Sequence, residues 1–376
     1  MSREPFFEFV NIAAGAKHYA IVTSEGEMVL LGSNRHGQLG LPKDHDPRAG
    51  PPSELEGSPI FYGGRDLWLG EDWMVNDVRC GGGFSIFFRK GAPMYICVGD
   101  NQYGQLGAGF KGSEGAAGLI GVRTDADSWS QDADDSRITK RAAGGIADVT
   151  CGFNHTLFLM TDNAIFACGS NLWGELGTQC TTSPFHPVEV SYFKERAIHI
   201  VQIAAGNTFS LFLSQEGRVF GCGLSKHGQV PINEFEPTPL LILRPGADVQ
   251  KRIRIKRIAC AGDLAVFISH HNEIIVQGSL TGFGFSSPSP RTHFVRQTAV
   301  IEASGDGRVP DVVDVRCAAS TVVVTYSNGL IAAFGSNTEG QIATRMKGSM
   351  NVAPALYTDE VEVVSVPVSR RCRCPK

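Results

Sequence analysis

Long apolar runs are missing from this chain of 376 residues; nowhere does it hold the ~18 to 20 uninterrupted hydrophobic residues that a membrane helix needs. The opening Met1-Ser-Arg-Glu-Pro-Phe-Phe-Glu8 places Glu4, Pro5 and Glu8 where a secretory leader would be apolar. We therefore expect a soluble cytoplasmic protein, with the nucleus as the alternative compartment and no membrane partner. An excess of one charge is missing too. With 34 Lys and Arg against 38 Asp and Glu, the chain lacks the positive field with which a dedicated nucleic-acid binder displaces counterions, so direct nucleic-acid binding is not expected. Low-complexity tracts and a collagen-like period are absent. Glycine, by contrast, is abundant: 44 residues exceed the usual ~7%, and that excess has to serve turns.

Self-similarity accounts for it. Gly32-Ser-Asn-Arg-His-Gly-Gln-Leu-Gly40 recurs as Gly99-Asp-Asn-Gln-Tyr-Gly-Gln-Leu-Gly107 and Gly169-Ser-Asn-Leu-Trp-Gly-Glu-Leu-Gly177. Degenerate copies begin at Gly223 and Gly335, and an eroded one at Gly278. The six first glycines lie 54 to 70 residues apart, so six units occupy nearly the whole chain. A small-residue step precedes each loop: Ile12-Ala-Ala-Gly15, Cys80-Gly-Gly82, Val149-Thr-Cys-Gly152, Ile203-Ala-Ala-Gly206, Ala259-Cys-Ala-Gly262 and Val315-Arg-Cys-Ala318. Between step and loop runs a short apolar, β-prone stretch. Its middle carries a residue that tolerates positive φ, namely Gly26, Asn163, Gly217, Asn272 or Gly329, which predicts a β-hairpin. A step, a hairpin, a glycine-bounded loop and a variable outer segment describe one blade of a propeller. The expected fold is all-β, a single β-propeller domain over residues 1–376, built of four-stranded antiparallel blades. Six blades are favoured and seven are the alternative. The alanines and glycines of the step are expected where inner strands crowd together at a narrow centre.

Gly-Ser-Asn-x-x-Gly-Gln-Leu-Gly following Ala-Ala-Gly-x-x-His resembles the repeat of the regulator of chromosome condensation family, over essentially the entire chain. The resemblance implies a propeller, usually of seven blades. It also implies a function ranging from nucleotide exchange on the small GTPase Ran to scaffolding and ubiquitin-ligase substrate binding. Six units are counted here, and neither a basic tail nor a ligase domain is expected beside them. After the sixth loop, Pro354-Ala-Leu-Tyr357 is expected to complete the last blade. Val361 to Val368 is expected to close the ring beside the N-terminal hairpin.

The side chains with chemical potential read mostly as architecture. Cys80 and Cys97, like Cys151 and Cys168, stand one hairpin interval apart, so each pair would face across neighbouring strands; buried reduced thiols are expected in preference to a disulfide or zinc pair. Cys372-Arg-Cys374 has no second ligand pair, and neither a metal nor a cofactor is expected. His18 and His155 follow Gly-x-x, where Ser85, Phe209, Ala265 and Thr321 stand in the other units, and are expected to be hydrogen-bonded structural residues. The cluster Lys251-Arg-Ile-Arg-Ile-Lys-Arg257 reads as a solvated strand with Ile253 and Ile255 on the face of Lys251 and Arg257, the alternative being recognition of a phosphate, an acidic peptide or an import receptor. The first two repeat intervals are the longest, which places insertions near 41–77 and 108–147. They carry Trp68, Asp72 and Trp73, and Asp125, Asp127, Trp129, Asp132, Asp134 and Asp135. Aromatics amid acids on loops suit interface anchors, and these nine are the candidate partner-binding residues. The expected function is a non-catalytic, monomeric protein-interaction propeller, a scaffold or regulatory adaptor. The alternative is a guanine-nucleotide exchange factor for a Ran-like small GTPase. No catalytic residues are expected.

Overall fold

The computed structural model describes residues 9–39, 60–62, 74–109, 118–121, 144–179, 182–230, 235–243, 253–279, 289–297, 304–305, 307–318, 321–335, 360–362 and 364–366. Among the described residues six sheets follow one another along the chain. The first holds β1 (Phe9–Ala14), β2 (His18–Thr23), β3 (Met28–Gly32) and β4 (Ile60–Tyr62). The second holds β5 (Asp77–Cys80), β6 (Phe84–Phe88), β7 (Met94–Gly99) and β8 (Gly118–Gly121). In the third are β9 (Ile146–Cys151), β10 (His155–Met160), β11 (Ile165–Gly169) and β12 (Val188–Glu189), after which comes the short helix α1 (Ser191–Glu195). The fourth holds β13 (Ile200–Ala205), β14 (Phe209–Ser214), β15 (Val219–Leu224) and β16 (Phe235–Leu243). The fifth begins β17 (Ile255–Ala261), β18 (Leu264–Ser269), β19 (Ile274–Gly278), β20 (Ser289–Arg296), and the sixth β21 (Val312–Ala318), β22 (Thr321–Tyr326), β23 (Ile331–Gly335). Two late strands, β24 (Glu360–Glu362) and β25 (Val364–Val366), join these last two sheets.

The predicted hairpin turns are all present. Gly26, Asn163, Gly217, Asn272 and Gly329 have φ between 64° and 82°, the left-handed geometry for which glycine and asparagine are suited. The C-terminal strand departs from expectation. Val364–Val366 does not pair beside the N-terminal hairpin; β25 runs antiparallel to β23 with Ile331 opposite Val366, while β24 runs parallel to β20. The reason is pairing capacity: β23 has a free edge that β25 fills, giving the sixth sheet its fourth strand, and the first sheet already has four of its own. Residues 354–357 lie outside the described residues.

The chain packs as two compact units, residues 1–211, 221–224 and 235–240 in one and 212–220, 225–234 and 241–376 in the other. In the first unit the opening strands of successive sheets, β1, β5, β9 and β13, are neighbours. Cores lie between consecutive sheets. Ala20, Val22, Met28 and Leu30 pack on Val78, Phe87, Ile96 and Val98. Phe84, Ile86, Phe88, Tyr95 and Cys97 pack on Val149, Phe158, Met160, Phe166 and Cys168. In the second unit Leu264, Val266, Ile268 and Val276 meet Val315, Val322, Val324 and Phe334 in the same manner. The hairpins of the second and third sheets are buried on both faces, which is why their sequences read as continuous apolar runs, whereas Tyr19 on β2 is exposed.

The small-residue step has a specific steric cause. A Cβ on Gly15 would come within 2.6 Å of the Gly81 carbonyl oxygen, one on Gly81 within 2.7 Å of Gly152 O, and one on Gly152 within 2.6 Å of Gly206 O. Turns of successive sheets thus stack backbone on backbone. The ring three residues on, that of His18, Phe84, His155 or Phe209, closes over the same glycine. This corrects the alignment drawn from sequence: Phe84 pairs with Gly99 and Leu264 with Gly278, as His18 pairs with Gly32. Phe84 and Leu264, not Ser85 and Ala265, are the counterparts of His18.

The thiol pairs are separated by a strand. Cys80 is opposite Ser85 while Cys97 is opposite Ile86, and Thr156 lies between Cys151 and Cys168. Two strand spacings of ~4.8 Å exceed the Cα separation that a disulfide spans, so the cysteines do not face each other across neighbouring strands. Burial pushes the Cys80 thiol up to about 12 and raises Cys97, Cys151, Cys168, Cys260 and Cys317 as well. Native alkylation followed by mass spectrometry is expected to leave these six thiols unmodified and to find neither a Cys80–Cys97 nor a Cys151–Cys168 link; rapid labelling of Cys97 or Cys168 would contradict the packing.

The basic cluster is also rearranged. A bulge between Ile255 and Arg257 breaks the strand alternation, so the two do not share a face. Arg254 donates to Glu216 O at 3.2 Å, and Lys256 donates to Asn272 and lies 4.0 Å from Asp311. These two cations have partners within their own unit.

Candidate interaction face

All nine loop residues singled out from sequence, Trp68, Asp72, Trp73, Asp125, Asp127, Trp129, Asp132, Asp134 and Asp135, lie outside the described residues. A different candidate emerges from the turns and glycine loops of the first unit. Each loop begins beside the turn of its own sheet: Ser33 N donates to Lys17 O at 2.9 Å, Asp100 N to Gly83 O at 2.9 Å and Ser170 N to Asn154 O at 2.8 Å. The first glycine permits this approach. At Gly32, where φ is 107°, a Cβ would meet Lys17 O at 2.5 Å.

Inside each loop the third residue accepts at Oδ1 from the eighth: Asn34 from Leu39 N (2.8 Å), Asn101 from Leu106 N (3.0 Å), Asn171 from Leu176 N (3.0 Å). The seventh accepts from the fifth: Gln38 from His36 N (2.7 Å), Gln105 from Tyr103 N (2.9 Å), Glu175 from Trp173 N (2.8 Å). In the second and third loops the seventh carbonyl then reaches the next sheet. Gln105 O accepts from Thr156 Oγ1 at 2.7 Å and Cys168 Sγ at 3.6 Å; Glu175 O accepts from Ser210 Oγ at 2.6 Å and Cys222 Sγ at 3.5 Å. The motif is an inter-sheet clasp, and its glycines are turn formers, as expected. Its fourth and fifth positions vary in chemistry: Arg35-His36, Gln102-Tyr103, Leu172-Trp173.

The two histidines also bridge sheets. His18 Nε2 is 2.9 Å from Ser85 Oγ, and His155 Nε2 is 3.1 Å from Ser210 Oγ. Since Ser210 already donates to Glu175 O, it accepts from His155, which fixes the neutral Nε2–H tautomer. Burial lowers both imidazoles to about 4. The structural role expected for them holds.

A feature that sequence reading passed over is an Asn or Asp four residues before the turn glycine or its counterpart, in Asn11, Asp77, Asp148 and Asp314. Each accepts from the next backbone N–H, at 2.8 to 3.0 Å. Strand register shifts immediately before Asn11, Asp148 and Asp314, so the side chain caps a bulge. In the first unit these residues form a polar chain across β1, β5 and β9: Asn11 donates to Asp77, and Arg79 donates to Asp77 and, at 2.7 Å, to Asp148. Burial pulls the Arg79 guanidinium down, but Asp148 and Asp77 outweigh it and leave it above its ordinary value. An arginine held as a permanent cation between two carboxylates ties strands together; it transfers no proton.

Exposure completes the picture. Phe153 in the turn of the third sheet is 48% exposed, and Leu172 and Trp173 in the adjoining loop are 58% and 42% exposed. The same end of the first sheet presents Lys17, Arg35 and His36. Among the described residues, no group of three or more His, Cys, Asp or Glu side chains is placed to hold a metal ion, and no helix is long and apolar enough to cross a membrane.

Comparison with known proteins agrees with this geometry. Residues 162–213 match the regulator of chromosome condensation (RCC1) repeat, as do 146–172 and 200–229 in a second form of that repeat. The chain is 28% identical over 222 residues to the Protein RCC2 homolog of Xenopus laevis, covering 57% of this chain and 40% of that one. It is 26% identical over 301 residues to the Ultraviolet-B receptor UVR8 of Arabidopsis thaliana, covering 78% and 59%. Serine/threonine-protein kinase Nek9 of Xenopus laevis matches at 26% identity over 60% of this chain and 21% of its own length. The chain thus spans less than two thirds of each of these relatives. Human WBSCR16 shares the fold with a TM-score of 0.69 at 18% identity, covering 92% of this chain and 81% of that one. Yeast RCC1 bound to Kap60 does so with a TM-score of 0.63 at 16% identity, covering 91% and 73%.

Proposed function

We propose that this β-propeller chain, which matches the regulator of chromosome condensation repeat over residues 146–172, 162–213 and 200–229, is a non-catalytic interaction scaffold that presents partner-binding side chains on the loop end of its sheets. The observation that carries this reading is the exposure of Phe153, Leu172 and Trp173 on a backbone locked by the turn and loop hydrogen bonds. Large aromatic and aliphatic groups held rigid lose little entropy on binding, and such groups form the energetic centre of protein interfaces. We place the protein in the cytoplasm as a monomer, where its buried thiols stay reduced.

Crosslinking in cells followed by mass spectrometry tests the scaffold reading. Crosslinks from Lys17 or from loop-end variants carrying a photoreactive group at position 172 should reach a discrete set of proteins, and their absence would remove it. The second reading, exchange on a Ran-like GTPase, is supported by the shared fold with yeast RCC1 and by the sequence motif. Mixed with Ran loaded with fluorescent GDP, the protein is expected to leave release at the spontaneous rate. Clear acceleration would favour the exchange reading instead.

A further inference from the structure

We propose that the loop end of the first unit binds an extended acidic peptide segment bearing apolar anchors. The inference rests on the scaffold reading and assigns the chemistry of the partner. Three observations converge on it. The turn of the second sheet, Gly81-Gly82-Gly83, carries no side chain, and a ring stands on either side of it. Phe153 ring carbons come within 3.0 Å of where a Gly82 Cβ would lie, and the His36 ring within 3.4 Å of that of Gly83. Gly82 is partly exposed between them. Its backbone is already satisfied, since its N–H donates to Phe153 O at 3.0 Å and its carbonyl accepts from Ala16 N at 3.3 Å. Recognition over this step therefore falls to the surrounding side chains rather than to strand addition.

Leu172 and Trp173 add exposed apolar groups in the loop that the Ser170-to-Asn154 hydrogen bond joins to the turn carrying Phe153. The exposed charge is of one sign. Lys17 and Arg35 are exposed, as is His36, whereas the loop carboxylates are withdrawn: Asp100 is 9% and Glu175 1% exposed. Their oxygens are occupied by Gln102 N, and by Ser170 Oγ and Trp173 N. Among the described residues at this end, no exposed carboxylate offsets the cations. A stepped surface across three consecutive sheets, apolar in one part and cationic in another, suits an extended ligand with acids and hydrophobic groups. A nucleic acid would call for cations along its whole path, which Leu172 and Trp173 do not provide.

The test is fluorescence anisotropy on the full chain with a fluorescein-labelled peptide repeating Glu-Leu-Glu-Phe. Parallel probes repeat Lys-Leu-Lys-Phe and Glu-Ser-Glu-Ser, and a fourth is a single-stranded oligothymidine. The first peptide is expected to bind saturably and about tenfold or more tighter than the other three. Phe153→Ser with Trp173→Ser should weaken it about tenfold. Lys17→Glu with Arg35→Glu, a pair of exposed substitutions that leaves the apolar anchors in place, should weaken it similarly and flatten its salt dependence. Equal binding of the lysine peptide, tighter binding of the oligonucleotide, no saturable binding of the first peptide, or unchanged affinity in both folded variants overturns the proposal. If the crosslinked partners are captured equally by parent and variants, the peptide assignment falls while the scaffold reading stands.

Discussion

Gly152→Ala is expected to destabilise the protein by about 3 kcal/mol, lowering its melting temperature by roughly 6 to 12 °C. The added methyl would overlap the His155 ring and come within 2.6 Å of the Gly206 carbonyl oxygen. A flexible side chain could swing away, but the second obstacle is backbone of the next sheet. Relief therefore requires β9 and β13 to separate, which breaks the bonds of Ser210 to Glu175 O and to His155 Nε2 that depend on the same spacing. Gly83→Ala serves as the control, because its methyl would meet only the His36 ring at 3.4 Å, an ordinary contact. Calorimetry that finds both variants within a degree or two of the parent would show that the turns are not stacked as described.

Acid should weaken the protein through its two inter-sheet histidines. In the unfolded chain each imidazole takes up a proton near its ordinary value of ~6.5, whereas in the folded protein burial holds His18 and His155 at about 4. Between those values the unfolded state binds more protons, so stability rises with pH. It is fully present above ~6.5 and falls as the pH drops toward 4. Each histidine contributes a slope of about 1.4 kcal/mol per pH unit, and the pair about twice that. Urea unfolding at pH 6 and pH 5 reads this directly. The double variant His18→Phe, His155→Phe should lose most of the slope while remaining folded, since Phe84 and Phe209 already occupy the matching positions over Gly81 and Gly206. In that variant Ser210 keeps its bond to Glu175 O and Ser85 keeps its contact with Cys80 Sγ at 3.4 Å, so each buried hydroxyl retains a partner. An unchanged slope would place the acid sensitivity elsewhere.

What could be read from the residues alone was whatever repeats locally. The six copies of the glycine loop, the hairpin between step and loop, and the positive-φ residues at Gly26, Asn163, Gly217, Asn272 and Gly329 are set by short-range backbone geometry, which recurs wherever the same residue types recur. The structural part played by His18 and His155 was legible for the same reason, since a residue that recurs in a repeat is seldom a unique catalyst. Pairing across long separations was not legible. Val364–Val366 joins β23 because that edge is open, and nothing within the strand itself distinguishes one edge from another. Ser85 rather than Phe84 stood opposite the histidines in the sequence alignment because three successive glycines leave the turn register ambiguous, and only the pairing of Phe84 with Gly99 decides it. The proposed interaction face was hidden for a related reason. Phe153, Leu172 and Trp173 look like ordinary repeat residues, and their exposure follows from which flanking groups the loop spends on holding sheets together, a division of labour that exists only once neighbouring sheets are in contact.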